Sequence, residues 1–267
     1  MNSRSLILNA YVYAVLAFVL VPIVIILPMA FSDTNYLTFP PEGFTLHWFG
    51  DFFGNRRWMS ALRFSAEIAA LTALVTTVVG TMACYALVRG AGRLGAVFQT
   101  LLIGPIVVPH IALAVALYLF FQQTGLSGTV AGYVFAHSVI AMPFVVFTVA
   151  AALSAVDPAL EDAAMSCGAT RFTAFRLVTL PLILPNVLSG GLFAFIISFD
   201  EPVIAFFLAG IRDKTLPRMM FDNIEQNLTP VIPAIAVLLT CLSILVLVGA
   251  ALLRRASVRT TAAPAQD

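Results

Sequence analysis

Along this chain, apolar residues come in long unbroken runs. They show neither the alternation of a half-buried strand nor the three-four spacing of a helix with one wet face. Six runs reach the roughly 20 residues that a helix needs to cross a bilayer core, at about 11–31, 62–88, 97–121, 130–152, 184–209 and 231–253. The pattern predicts an all-α fold, a polytopic transmembrane helical bundle of six spans. The first run is too long for the apolar core of a secretory signal and lacks an A-x-A cleavage site, so it is expected to be retained. Pro22, Pro105, Pro109 and Pro143 fall inside spans, which is tolerable where neighbouring helices or water satisfy the freed backbone groups.

The polar stretches set the orientation. Counting Lys and Arg in short loops, the segments on the N-terminal side hold Arg4, Arg89, Arg93, Arg171, Arg176, Arg254, Arg255 and Arg259. The other side holds Arg56, Arg57, Arg212, Lys214 and Arg218, with Arg63 at the edge of a span. The excess favours a cytoplasmic N-terminus over residues 1–10 and a cytoplasmic C-terminus. Three connections exceed a hairpin. Residues 32–61, with many Phe, Trp48 and Trp58, suit an interfacial layer outside, and 210–230 form a polar outer loop. Residues 153–183 form the longest cytoplasmic loop, and the small, polar tail over 256–267 is expected to be disordered.

Composition agrees. The chain of 267 residues is 61% hydrophobic and 10% charged, against about 25% charged in soluble domains, and one soluble core of this size could not hide so much apolar surface. A net charge of +1 gives no electrostatic case for a nucleic-acid partner. Cys84, Cys167 and Cys241 are odd in number and far apart, which supports neither a disulfide framework nor a CxxC site. They are read as small packing residues. No His/Asp/Glu set has metal-ligand spacing, and no nucleophile–base arrangement is readable. The only lysine, Lys214, follows Gly210-Ile-Arg-Asp without the glycine-rich cradle of a phosphate-binding loop. This chain is therefore expected to bind no cofactor of its own.

The 153–183 loop carries the most local detail. Asp157 is a good helix N-cap and Pro158 suits the first helical position. Glu161 and Asp162 complement the dipole in the early turns. Leu160, Ala163, Ala164 and Cys167 then share one face of mostly small residues, and Gly168 ends the helix. Thr170 can cap a second short helix, expected to stop before Leu180-Pro181. Physically this is either a docking element for another protein or a helix lying on the lipid surface.

The register Asp162-Ala163-Ala164, three residues, Gly168, nine residues, Val178-Thr179-Leu180-Pro181 resembles the EAA loop of binding-protein-dependent ABC importer permeases. Asp stands for Glu and Val for Ile. The resemblance implies a type I ABC importer permease fold whose loop forms a coupling helix in a cleft of an ATPase subunit. It puts Glu161, Asp162, Ala163, Ala164 and Gly168 at that contact. It also implies an ABC ATPase dimer that uses ATP and Mg, a second homologous permease, a soluble solute-binding protein, and a place in the bacterial inner membrane. Over about residues 60–253, the segments Ala136-His137 to Pro143, Ser198-Phe-Asp200-Glu201-Pro-Val and Thr215-Leu-Pro217 are similar to the spermidine/putrescine subfamily, best to its shorter permease type. That subfamily also includes relatives for aminophosphonates, opines and ferric iron.

Asp200 and Glu201 sit toward the outer part of the fifth span, at a depth where carboxylates are costly and functional by default. They line a pathway for a cation, pair with an arginine, or cap a broken helix. His110, after Pro109, stands where polyamine permeases often carry an acidic residue. A histidine attracts a polycation little and repels it when protonated, which counts against a polyamine and for a less cationic or zwitterionic solute. The residue either contacts the solute or packs between helices. His137 is read as structural. An ion-gradient-driven transporter would call for inverted repeats and ion ligands at the midplane, and no convincing repeat is present. An intramembrane enzyme would need paired catalytic groups at one depth, and only Asp200–Glu201 comes near that.

Overall fold

In a computed structural model of the chain, the described residues are 3–90, 92–208, 210, 214–226 and 229–261, and the regular structure among them is entirely helical. The helices are α1 (Ser3–Met29), α2 (His47–Gly54), α3 (Arg56–Gly90), α4 (Gly92–Ile103), α5 (His110–Thr124), α6 (Val130–Ala155) and α7 (Ala159–Ser166). They continue with α8 (Arg171–Ala174), α9 (Leu180–Phe199), α10 (Val203–Leu208), α11 (Leu216–Gln226) and α12 (Val231–Thr261). Among the described residues, four helical stretches are long and apolar enough to cross a membrane: Ile7–Met29, Arg56–Gly90, Val130–Ala155 and Arg171–Phe199. A bent pair makes a fifth if its two halves are taken as one broken span rather than a re-entrant turn, and α12 contributes a shorter apolar stretch, Val231–Leu245. This is a multi-pass membrane protein.

Several expectations change. The run at 97–121 is not one straight span. It breaks into Val97–Ile106 and His110–Thr124, bent by 103°. Gly104, Pro105 and Pro109 crowd the break, and each proline removes a donor and disfavours helix at the residue before it. Single prolines such as Pro22 and Pro143 leave their helices continuous. The run at 184–209 also divides, since α9 ends at Phe199 and α10 restarts at Val203 beyond Pro202. At its other end, the helix expected to stop before Leu180 does not stop. A π-turn at Phe175–Thr179 joins α8 to α9, so helix runs from Arg171 to Phe199. The predicted disordered tail is helical as far as Thr261, continuing α12. Residues 262–267 and Arg212 lie outside the described residues, as do the side chains of Arg4, Arg93, Arg254, Arg255 and Arg259.

The chain divides into two compact units, Met1–Met59 with Met220–Gly249, and Ser60–Met219 with Ala250–Asp267. In the first, Trp48 and Trp58 are buried. The Trp48 indole Nε1 donates to the Ser32 carbonyl at 2.7 Å, and the Phe31 ring stacks on Phe44 at 5.4 Å. Local aromatic packing folds the 32–61 loop onto itself.

The second unit is built on α6 and α9, which make its most extensive helix pairing. Adjacent glycines in α9 allow close approach, Gly190 to α6 and Gly191 to α3. A Cβ on Gly190 would lie 2.5 Å from Thr148 Oγ1, and one on Gly191 would lie 2.6 Å from Thr77 Oγ1 of α3. Small residues at helix contacts serve the same purpose in membranes generally. Two apolar clusters follow the bundle. One joins Cys84, Val145, Val149, Leu153 and Ile183. The other joins Ile68, Leu117, Phe121, Tyr133 and Ile204. Only Cys84 packs as the cysteines were expected to, since Cys167 and Cys241 are exposed.

Candidate functional site

The second unit carries the candidate residues at its two ends. At one end, α7 forms as its local sequence dictates. Asp157 Oδ1 accepts from the Ala159 amide at 2.9 Å, and acidic residues occupy the first turn. The helix closes with a Schellman pair, Gly168 N to Met165 O at 2.9 Å and Ala169 N to Ala164 O at 3.1 Å. Gly168 takes φ +91°, a left-handed conformation that glycine adopts without strain. Thr170 Oγ1 then accepts from Thr173 N at 3.2 Å and opens α8.

Asp162, Ala163, Cys167 and Gly168 are exposed, and Ala164 is half-buried. Leu160 is also open, and Phe172 and Leu177 are about two-thirds exposed at 67% and 66%. Sequence reasoning missed these last two, although two large apolar residues beside Arg171 and Arg176 are a readable sign of a contact surface.

Glu161 belongs elsewhere. The family resemblance groups it with the outward contact residues, but its side chain turns into the bundle and is buried. Its Oε1 accepts from Arg89 Nε at 3.1 Å and from Thr179 Oγ1 at 2.8 Å, and its Oε2 accepts from the Tyr85 hydroxyl at 2.7 Å. Burial alone would raise the carboxyl pKa. The hydrogen bonds from Tyr85 and Thr179 and the Arg89 charge outweigh burial and hold it below the usual glutamate value.

At the other end the two helix breaks meet. Glu201 lies in the gap between α9 and α10, and its Oε1 accepts from the amides of Val203 (2.7 Å) and Ile204 (3.0 Å). Of the three readings open for Glu201, it takes the one that caps a broken helix. Its Oε2 stands 3.9 Å from Nδ1 of His110, the first residue of α5, whose side chain is about half exposed at 52%. Asp200 behaves differently. It ends α9 with its backbone amide bonded to Ile196 O, and its side chain is exposed. His137 is fully buried, with Nδ1 2.9 Å from Ser198 Oγ and 3.1 Å from Ser198 O, and ties α6 to the last turn of α9.

A further carboxylate, Glu67, went unnoticed in the sequence. It is exposed on α3, five residues inside the 62–88 run, and a lone acid within an apolar run was the available signal. Thr77 meets Gly191 where α3 and α9 run antiparallel. Ten residues onward, about 15 Å at 1.5 Å per residue, α3 reaches Glu67 and α9 has reached the break at Asp200–Glu201. Among the described residues no group of three or more His, Cys, Asp or Glu could hold a metal ion.

Comparison with known proteins places this geometry. Residues 77–262 match the family described as the binding-protein-dependent transport system inner membrane component. The spermidine/putrescine transport system permease protein PotC of Haemophilus influenzae is 31% identical over 254 residues, covering 95% of this chain and 98% of that protein. The putrescine transport system permease protein PotI of Escherichia coli is 30% identical over 230 residues, covering 83% and 81%. In fold, the chain is similar to a subunit of a bacterial ABC transporter involved in import of the acidic polysaccharide alginate. The TM-score is 0.72 at 16% identity, over 92% of this chain and 96% of that one. With its broken spans and its capped loop helix, the chain belongs to the family of binding-protein-dependent transport system inner membrane components.

Proposed function

We propose that this chain is one of two homologous permeases in an ATP-driven polyamine importer of a bacterial inner membrane. Its termini and residues 153–183 face the cytoplasm. The observation that carries the reading is α7, a short capped helix with an open face of Leu160, Ala163 and Cys167, joined by four residues to a continuous helix over Arg171–Phe199. A partner seated on that face moves a membrane-crossing rod. One copy of a paired ATPase subunit, which binds ATP and Mg, occupies this position, with Asp162, Ala163, Ala164 and Gly168 in the contact, and the second copy serves the second permease. A soluble solute-binding protein delivers the solute from outside. ATP-driven closure of the ATPase pair then switches the permease pair between two arrangements.

For the solute, the relatives named above for spermidine and putrescine supply the class. Exposed Asp200 and Glu67, together with Glu201 where the helix breaks meet, form a path that attracts an amine cation. The test is reconstitution in proteoliposomes with the ATPase, the second permease and the binding protein. Spermidine or putrescine is expected to stimulate ATP hydrolysis and to accumulate inside. Stimulation by an aminophosphonate, an opine or ferric iron instead would keep the importer and replace the solute. Uptake driven by an ion gradient without ATP would overturn the reading.

A further inference from the structure

The inward side of α7 holds a polar junction that the docking face does not use. Arg89, in the last turn of α3, sends Nη2 to the carbonyls of Leu153 (3.3 Å) and Val156 (2.8 Å), where α6 ends. A guanidinium there satisfies carbonyls that the helix leaves open and complements the negative end of its dipole. The same side chain meets Glu161 of α7 through Nε. Glu161 also takes the Tyr85 hydroxyl of α3 and the Thr179 hydroxyl of the π-turn. The Tyr85 ring packs on Phe175, the first residue of that turn, at 4.5 Å. One carboxylate thus binds three donors from two elements outside its own helix, and Arg89 adds the end of α6. The extra residue of the π-turn matters because such turns redirect side chains locally and recur at functional sites.

We infer that the Glu161–Arg89–Tyr85–Thr179 junction is a positioning element that fastens α7 to α3, α6 and the π-turn, so that movement of α7 passes to the membrane helices as a rigid unit. The inference rests on the reading of α7 as the ATPase contact. Without the junction, α7 keeps only its packing on α8 and the π-turn and the link through residues 167–170, with a glycine at the joint. Such a tether lets α7 move without carrying the spans.

The test measures solute imported per ATP hydrolysed in the reconstituted complex, beside the amount of ATPase subunit that copurifies. Glu161→Ala is expected to keep the ATPase bound while solute imported per ATP falls by about fivefold or more, the range of ordinary coupling between sites. Tyr85→Phe and Thr179→Val, each losing one donor, should give smaller falls in the same direction. Should Glu161→Ala fail to insert, Glu161→Gln carries the test, since it removes the charge and keeps the shape. A merely structural junction would lower the yield of complex and leave the ratio per complex at the wild-type value, and that result would overturn the inference. Loss of ATPase copurification from the wild-type chain would instead overturn the docking reading beneath it.

Discussion

The two ends of the second unit hold the same chemical group in opposite conditions. At the α7 end, the Glu161 carboxylate is buried and meets Arg89, Tyr85 and Thr179. At the helix breaks, Glu201 gives one oxygen to amide caps and leaves the other 3.9 Å from an imidazole, while Asp200 lies exposed. A carboxylate with all its bonds inside the fold has nothing left for a solute, and it stiffens. One with unused capacity in an apolar setting is a place for a cation. The contrast separates a closed end of the second unit, with its carboxylate satisfied inside the fold, from an open end whose carboxylates keep unused capacity.

The largest effect is expected from removing half of the buried pair. Arg89→Ala leaves Glu161 without its cation, and loss of one partner in such pairs costs about 3–5 kcal/mol, read as a lower unfolding temperature of the purified protein. If Arg89→Ala unfolds like the wild type, the α7 end is not the stiff end. Gly190→Val comes next. Its side chain would press on Thr148 and on the Val145 backbone, and overpacking of this kind costs about 1–3 kcal/mol.

Asp200→Asn and Glu67→Gln test the open end. Each is expected to weaken spermidine uptake by about 1 kcal/mol, roughly fivefold, the scale of a solvent-accessible ion pair, without changing the unfolding temperature. Equal uptake by both variants would remove the cation path.

Acidification gives the smallest effect over the working range. Because folding lowers the Glu161 pKa, the carboxylate contributes stability that is complete above the unfolded glutamate value of 4.5. That contribution is lost as pH falls through the lower folded value. Thermal scans should therefore show no Glu161-dependent change between about pH 6 and 8, and an acid limb that Glu161→Gln lacks.

What could be read from the sequence follows the range of the forces involved. Asp157, Gly168 and Thr170 were legible because caps act on backbone groups two to four residues away. The apolar runs were legible because a membrane span needs no partner to be recognised. The inward turn of Glu161 was not, since its donors lie 76, 72 and 18 residues away in the chain. The break at 104–109 was hidden because hydropathy sums over a window and does not register that two prolines and a glycine fall within six residues. Glu201 was left between three roles because choosing among them required knowing that α9 stops at Phe199.

The contact between α7 and an ATPase subunit can be measured directly at Cys167, an exposed thiol at the end of α7. In a Cys241→Ser background only Cys84 remains besides it, and Cys84 is buried. Maleimide labelling is followed in the permease pair with the ATPase bound and after its removal. Cys167 is predicted to label readily in the stripped pair and to be protected in the complex. Equal labelling in both states would contradict α7 as the coupling contact.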